Sequence, residues 1–160
     1  MKSITLIRHA KSNREFEIKD FDRELIEKGI KNSIKCANVT LNEIDFCSII
    51  YSSPAKRVLH TAEIFLKIWQ LNIKSIKIVP ELYTFDVNEL EQIVKSCPNN
   101  HESLILFGHN SAITDFVNKF GDIFIENVPT SGLVSINFDT DNWNNIIKGK
   151  TNRVLFPRDI

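Results

Sequence analysis

Ser103-Leu104-Ile105-Leu106-Phe107, followed by Gly108-His109-Asn110-Ser111, sets the frame for the whole chain. The first five residues carry no charge and do not alternate apolar with polar side chains, the pattern of a strand covered on both faces. Gly108 ends the run. Ser111 is placed to cap a helix whose Ile113, Phe116, Val117 and Phe120 recur at helical spacing. A doubly buried strand that feeds an amphipathic helix is the unit from which parallel α/β sheets are built.

The same unit recurs on the N-terminal side. Ser3 to Ile7 is a short β-prone run, and Glu24 to Leu41 sets Leu25, Ile30, Ile34, Ala37 and Leu41 at helical spacings despite Gly29. Cys47 to Tyr51 is a second apolar run, which places Cys47 in the core. Ser53-Pro54 then opens a helix with Val58, Leu59, Ala62, Phe65, Leu66 and Trp69 on one face. Ser75 to Val79 reads as a third strand ended by Pro80, and Val87 to Lys95 as a helix that stops before Pro98. From Leu133 the pattern alternates through Val134, Ile136 and Phe138. The turn-forming Asp139-Thr140-Asp141-Asn142 leads into Trp143 to Lys148, which predicts a late antiparallel hairpin. With no repeat or linker in the way, the expectation is one α/β domain over residues 1–160, three layers deep, its mostly parallel central sheet flanked by helices.

Composition narrows the function. At 160 residues with 42% apolar and 25% charged side chains, the chain fits one globular core. Lys plus Arg and Asp plus Glu both number 20, so no broad field gathers nucleic acid or anionic lipid, and any anion site is built locally. The apolar run before Arg8 is too short for a signal peptide or a membrane span, which predicts a cytoplasmic protein. Cys36, Cys47 and Cys97 lack CxxC or Cys/His spacing and read as free thiols, so no metal is expected. Neither a Walker loop nor GxGxxG is present, and no cofactor is expected. The 11 Phe residues are scattered through apolar faces and read as core rather than as a base-stacking platform.

In such sheets ligands gather at the carboxyl ends of the strands. The first strand ends in Arg8-His9, the second in Ser52-Ser53-Pro54 with Arg57 soon after, and the fourth in Gly108-His109-Asn110. Two arginines suit a phosphoryl group, because each planar guanidinium holds two oxygens and stays charged. A neutral imidazole can attack phosphorus and carry the group as a phosphohistidine. Taken singly, Arg8-His9 reads as a charged strand end, Arg57 as a solvated helix residue and His109 as a loop histidine; their combination changes the reading. Chemistry alone leaves open which histidine attacks.

These segments, Leu6-Ile7-Arg8-His9-Ala10-Lys11-Ser12, Ser52-Ser53-Pro54-Ala55-Lys56-Arg57 with Thr61-Ala62-Glu63, and Gly108-His109-Asn110, resemble in order and spacing the histidine phosphatase (phosphoglycerate mutase-like) superfamily. Asp20-Phe21-Asp22-Arg23-Glu24-Leu25 with Gly29, the Lys11-Ser12 pair and Pro80-Glu81-Leu82 are similar to the SixA-type phosphohistidine phosphatase branch. The resemblance implies the phosphoglycerate mutase-like fold, His9 as the phosphorylated nucleophile, and Arg8, Arg57 and His109 as its phosphate pocket. Ala10 stands where a glycine is usual. Glu15 stands where the mutase pattern has Asn. Glu81 and Asp86 are candidates for a leaving-group acid, and Lys11, Ser12 and Ser131 for contacts to phosphate or substrate. Asp22 and Arg23 read as local stabilisers of their loop, His60 and His101 as surface or structural residues.

The implied activity is a metal-independent phosphatase acting on phosphohistidine protein or a small phosphorylated metabolite, as a monomer or weak dimer. Two alternatives are a phosphoglycerate mutase-like phosphotransferase and a catalytically silent phospho-ligand binding module. Glu15 and the short Pro80 to Pro98 connection weigh against the first, and an intact His9 against the second.

Overall fold

In the computed structural model, which describes residues 1–160, six strands form one sheet in the order β3-β2-β4-β1-β5-β6. The strands are β1 (Lys2–Arg8), β2 (Ile49–Ser52), β3 (Ile76–Ile78), β4 (Ser103–Gly108), β5 (Leu133–Phe138) and β6 (Lys150–Leu155). Four of them, β3, β2, β4 and β1, run parallel, while β5 is antiparallel to both β1 and β6. The helices are α1 (Glu27–Val39), α2 (Lys56–Ile68), α3 (Val87–Lys95) and α4 (Ala112–Phe120).

Strand β4 shows why the layers form. Side chains along a strand point alternately to opposite faces. Leu104 and Leu106 enter a core cluster of 22 buried residues that includes the apolar faces of α3 and α4. Ile105 and Phe107 enter a second cluster of 14 residues, with Cys36 and Ala37 of α1 and Val58, Ala62, Phe65 and Leu66 of α2. The sheet is therefore covered on both sides, which makes the three layers expected from the sequence. No helix is long and apolar enough to cross a membrane.

Four local expectations are corrected. The hairpin partner of β5 is Lys150 to Leu155, not Trp143 to Lys148, because Trp143 is fully buried and donates from Nε1 to the His101 carbonyl at 2.9 Å. Residues Trp143–Asn145 form a 3₁₀ turn capped by Asn142, and β6 begins only after Gly149. Cys47 is exposed in a turn where its N–H donates to Asp45, so β2 starts later and Cys47 is not core. The first helix starts at Glu27 rather than Glu24, since Leu25 is held in a β-bridge to Ser12. Ser111 does not cap α4; Asn110 Oδ1 accepts from the Thr114 N–H at 3.0 Å instead. All three cysteines are free thiols.

Candidate active site

The register of the parallel strands brings the three charged segments to one height. Arg8 lies beside Gly108 and Ser52 beside Phe107. Just beyond, the His9 N–H donates to the Gly108 carbonyl at 3.1 Å and the Ser53 N–H to the Phe107 carbonyl at 3.2 Å. The loops that leave β1, β2 and β4 therefore start from a shared edge. Arg57, in the first turn of α2, reaches between them and is 1% exposed. The His9 and His109 rings are 5.5 Å apart, centroid to centroid.

The hydrogen bonds define how the protons sit. Arg57 can only donate. Its Nε–H points at His9 Nε2 at 3.4 Å, and its terminal Nη2 at His109 Nδ1 at 3.3 Å. Both ring nitrogens are therefore acceptors. The remaining proton of His9 is on Nδ1, donated to the Ala10 carbonyl at 2.8 Å, and that of His109 is on Nε2, donated to Ser53 Oγ at 2.8 Å. His9 Nε2 is thus unprotonated, its lone pair accepting from Arg57 inside the site, on a ring locked by its own backbone.

Electrostatics holds both rings neutral. Burial pulls His9 down to about 3, with Arg57, His109 and Arg8 acting in the same sense against the Ala10 carbonyl bond. His109 is also pulled down to about 3, by burial first and then Arg57, with Asp20 opposing. Arg8 donates from Nη1 to the Val128 carbonyl at 2.9 Å, while its Nε is buried with no protein acceptor. A buried donor without a partner is costly unless something else accepts from it. Beside a ring of arginines, a bound anion is the acceptor that fits.

Several supports escape sequence reading. Thr61 Oγ1 accepts from the Ala10 N–H at 2.9 Å and donates to the Arg57 carbonyl at 2.7 Å, tying the loop after His9 to α2. Its position four residues after Arg57 was the available signal, since i and i+4 share a helix face. Asp20 binds Arg57 through Oδ2 at 3.0 Å and through its backbone carbonyl at 2.6 Å, and pairs with Arg23 at 3.0 Å. The Tyr83 hydroxyl donates to Asp20 Oδ2 at 2.5 Å. Tyr83 and Phe85 each pack a ring against His109, at 5.4 and 5.3 Å. No periodicity marks these two aromatics, which lie on the connection between β3 and α3.

The other sequence candidates are placed as follows. Lys11 is exposed, and Ser12 is buried with its backbone bridged to Leu25. Ser131 is fully buried; its N–H bonds the carbonyls of Arg8 and His9, and its hydroxyl bonds Ser33 at 2.9 Å. Its backbone N–H thus holds the end of β1, and its hydroxyl joins Ser33 of α1. Glu81 lines a separate cavity with Tyr51, Lys77 and Glu89. Asp86 caps α3 through the Asn88 N–H at 2.7 Å, one residue from Phe85 at the rim. His60 is exposed, and the His101 carbonyl takes Lys2 and Trp143.

Known proteins share this fold. The family profile "Histidine phosphatase superfamily (branch 1)" matches residues 4–104. No curated protein sequence matches the chain. Among solved structures, the protein histidine phosphatase SixA complexed with tungstate is similar at a TM-score of 0.82 with 20% identity, covering 98% of each chain. A protein described as a SixA phosphohistidine phosphatase from Agrobacterium tumefaciens is similar at 0.74 with 19% identity, covering 96% of this chain and 97% of that one. A mycobacterial glucosyl-3-phosphoglycerate phosphatase follows at 0.67 with 12% identity, covering 95% and 97%. At these identities the structural likeness speaks for the fold, which is phosphoglycerate mutase-like. The profile match, spanning more than half of the sequence and including Arg8, His9 and Arg57, establishes that the chain belongs to branch 1 of the histidine phosphatase superfamily.

Proposed function

We propose that this protein is a metal-independent phosphatase working through a phosphohistidine formed on His9, with phosphohistidine in a protein, or a small phosphorylated metabolite, as substrate. The observation that carries the reading is the unprotonated Nε2 of His9, oriented by the Ala10 carbonyl and accepting from Arg57. Its lone pair attacks phosphorus while the bond to the leaving group breaks and that group takes a proton. Water then attacks the phosphoryl-Nε2, the P–N bond breaks, and the lone pair returns to His9 with inorganic phosphate released. Arg57 and Arg8 stabilise charge on the equatorial oxygens. Holding the ring near 3 keeps the nucleophile unprotonated at neutral pH.

The acid side of the reaction favours a leaving group that is easily protonated. Glu81 lies in the other cavity, and Asp20 is held as an anion, its Tyr83 and Arg57 hydrogen bonds outweighing the upward push of burial. Phosphohistidine meets that requirement, since its imidazole takes up a proton readily near neutral pH. We place the reaction in the cytoplasm.

The test is turnover of phosphohistidine protein and p-nitrophenyl phosphate by the purified protein in EDTA, followed by rapid quench with a radioactive phosphodonor. Acid-labile, base-stable label on His9, and loss of turnover in His9→Ala, are expected. Label on His109, or activity restored only by a divalent ion, would reverse the assignment.

A further inference from the structure

Asp20 stands out among the groups around the two histidines because it is an anion in a site built for anions. Its carboxylate takes one Arg57 N–H at 3.0 Å, one Arg23 N–H at 3.0 Å and the Tyr83 hydroxyl at 2.5 Å, while its backbone carbonyl takes the other Arg57 terminal nitrogen at 2.6 Å. These are the donor types that would grip a phosphoryl group. The Nε of Arg23, like that of Arg8, is buried with no protein acceptor. Two guanidiniums near the histidines thus have unused donors, and Asp20 binds one of them together with Arg57.

Exposure separates the partners. Arg57 is 1% exposed on α2, whereas the Asp20 side chain is 47% exposed on a 3₁₀ turn, Asp20–Asp22, that buries no residue of its own. A side chain half-exposed on a turn with no buried residue can rotate away more readily than one packed inside a helix layer. Rotation about the Asp20 side chain alone frees the Arg57 and Arg23 donors and leaves the backbone carbonyl bond in place.

We propose that the Asp20 carboxylate is an internal competitor for the phosphoryl position, displaced when a phosphoryl group binds, so that Asp20 sets how tightly this site holds phosphate and releases product. The inference rests on the reading of His9, Arg57 and His109 as a phosphoryl site. Competition of this kind lowers affinity by the fraction of time the carboxylate occupies the position. It also supplies an exchange partner for Arg57 and Arg23 when inorganic phosphate departs, so neither guanidinium is left bare.

Calorimetric titration of inorganic phosphate at pH 8 into the wild type, Asp20→Asn, Asp20→Ala and Arg57→Ala tests this. Asp20→Asn keeps an acceptor for Arg57 and removes only the charge. It should bind phosphate about two- to fivefold more tightly, the scale of one partly exposed ion pair, and Asp20→Ala at least as tightly. In the wild type, phosphate should also perturb the tyrosine absorbance by breaking the Tyr83 bond, and Tyr83→Phe should abolish that signal. Unchanged or weaker binding in both Asp20 variants means the carboxylate only orients Arg57, and overturns the inference. So does tighter binding with no Tyr83 signal in the wild type, since the carboxylate then stays in place. Should neither Asp20 variant fold, the Tyr83 signal in the wild type decides. A wild type that binds no phosphate would instead sink the proposed function itself, a failure distinguishable from loss of binding confined to Arg57→Ala.

Discussion

At the level of single residues, the site depends on a few hydrogen bonds between backbone and side chain. Thr61 is the clearest case, because its hydroxyl is what the buried N–H of Ala10 has for an acceptor, and Ala10 follows His9 directly. Thr61→Val keeps nearly the same volume and removes the acceptor. Leaving a buried donor unsatisfied costs about 1–3 kcal/mol, so the urea midpoint should fall accordingly, while Thr61→Ser should restore most of the loss. Turnover should drop together with stability, since the Ala10 carbonyl fixes the His9 tautomer. A Thr61→Val protein as stable as the wild type would show that the N–H has found water instead.

The charged residues were legible in the sequence only as a combination, since each taken singly reads as an ordinary structural residue and it is their joint place at neighbouring strand ends that marks a site. Asp20 and Ser53 stand within the quoted motifs but were given no role, since short polar residues in loops have many uses and only the fold shows which one applies. Ser53 serves as the acceptor that sets the His109 proton.

Among the elements, α1 shows how packing overrides helix propensity. Gly29 lies in its first turn, where exchange for alanine ordinarily gains about 1 kcal/mol. Here a Cβ would fall against the backbone oxygen and nitrogen of Lys11, in the loop that leaves β1. Overpacking against backbone costs about 1–3 kcal/mol, so Gly29→Ala should be destabilising in chemical denaturation and should lower activity by moving the Lys11 loop. A stabilised variant would mean that the loop shifts freely. Such contacts explain where element reading succeeded and where it slipped. The periodicity of α2, α3 and α4 and the unbroken run of β4 were read correctly, because burial on one or both faces leaves a direct mark on the pattern. The second strand of the hairpin was misplaced because Trp143 and Ile146 are buried in a turn, and buried apolar residues in a turn imitate a strand.

For the whole molecule, the depressed histidines tie stability to pH. Both fold with values near 3, against about 6.5 when unfolded. Between those values the unfolded chain binds more protons than the folded one, so stability is complete above about pH 6.5 and falls as pH drops toward 3. Each histidine contributes a slope of at most about 1.4 kcal/mol per pH unit in this window. Measuring urea midpoints between pH 6.5 and 5.5, above the ordinary carboxylate values of about 3.8 and 4.5 from which Asp20, Asp45 and Glu91 begin to lose their contribution, isolates the effect. A flat profile in the wild type would show that the folded rings protonate as readily as free ones, and His9→Ala should halve the slope.

The position of β1 in the sheet has a consequence for how the protein is made. Its neighbours are β4 and β5, so Ser3 lies beside Ser103 and Lys2 beside Phe138. Contacts of such long sequence separation form slowly, since a large loop must close before any of them contributes. At a ribosome adding roughly 5–20 residues per second, β1 waits on the order of ten seconds for its first partner strand. Until then Arg8 and His9 have no Gly108 beside them and no Ser131 to hold the backbone that carries them. The strand end that carries His9 is synthesised well before the strands that give it its working geometry, so a half-made chain carries a histidine but no enzyme.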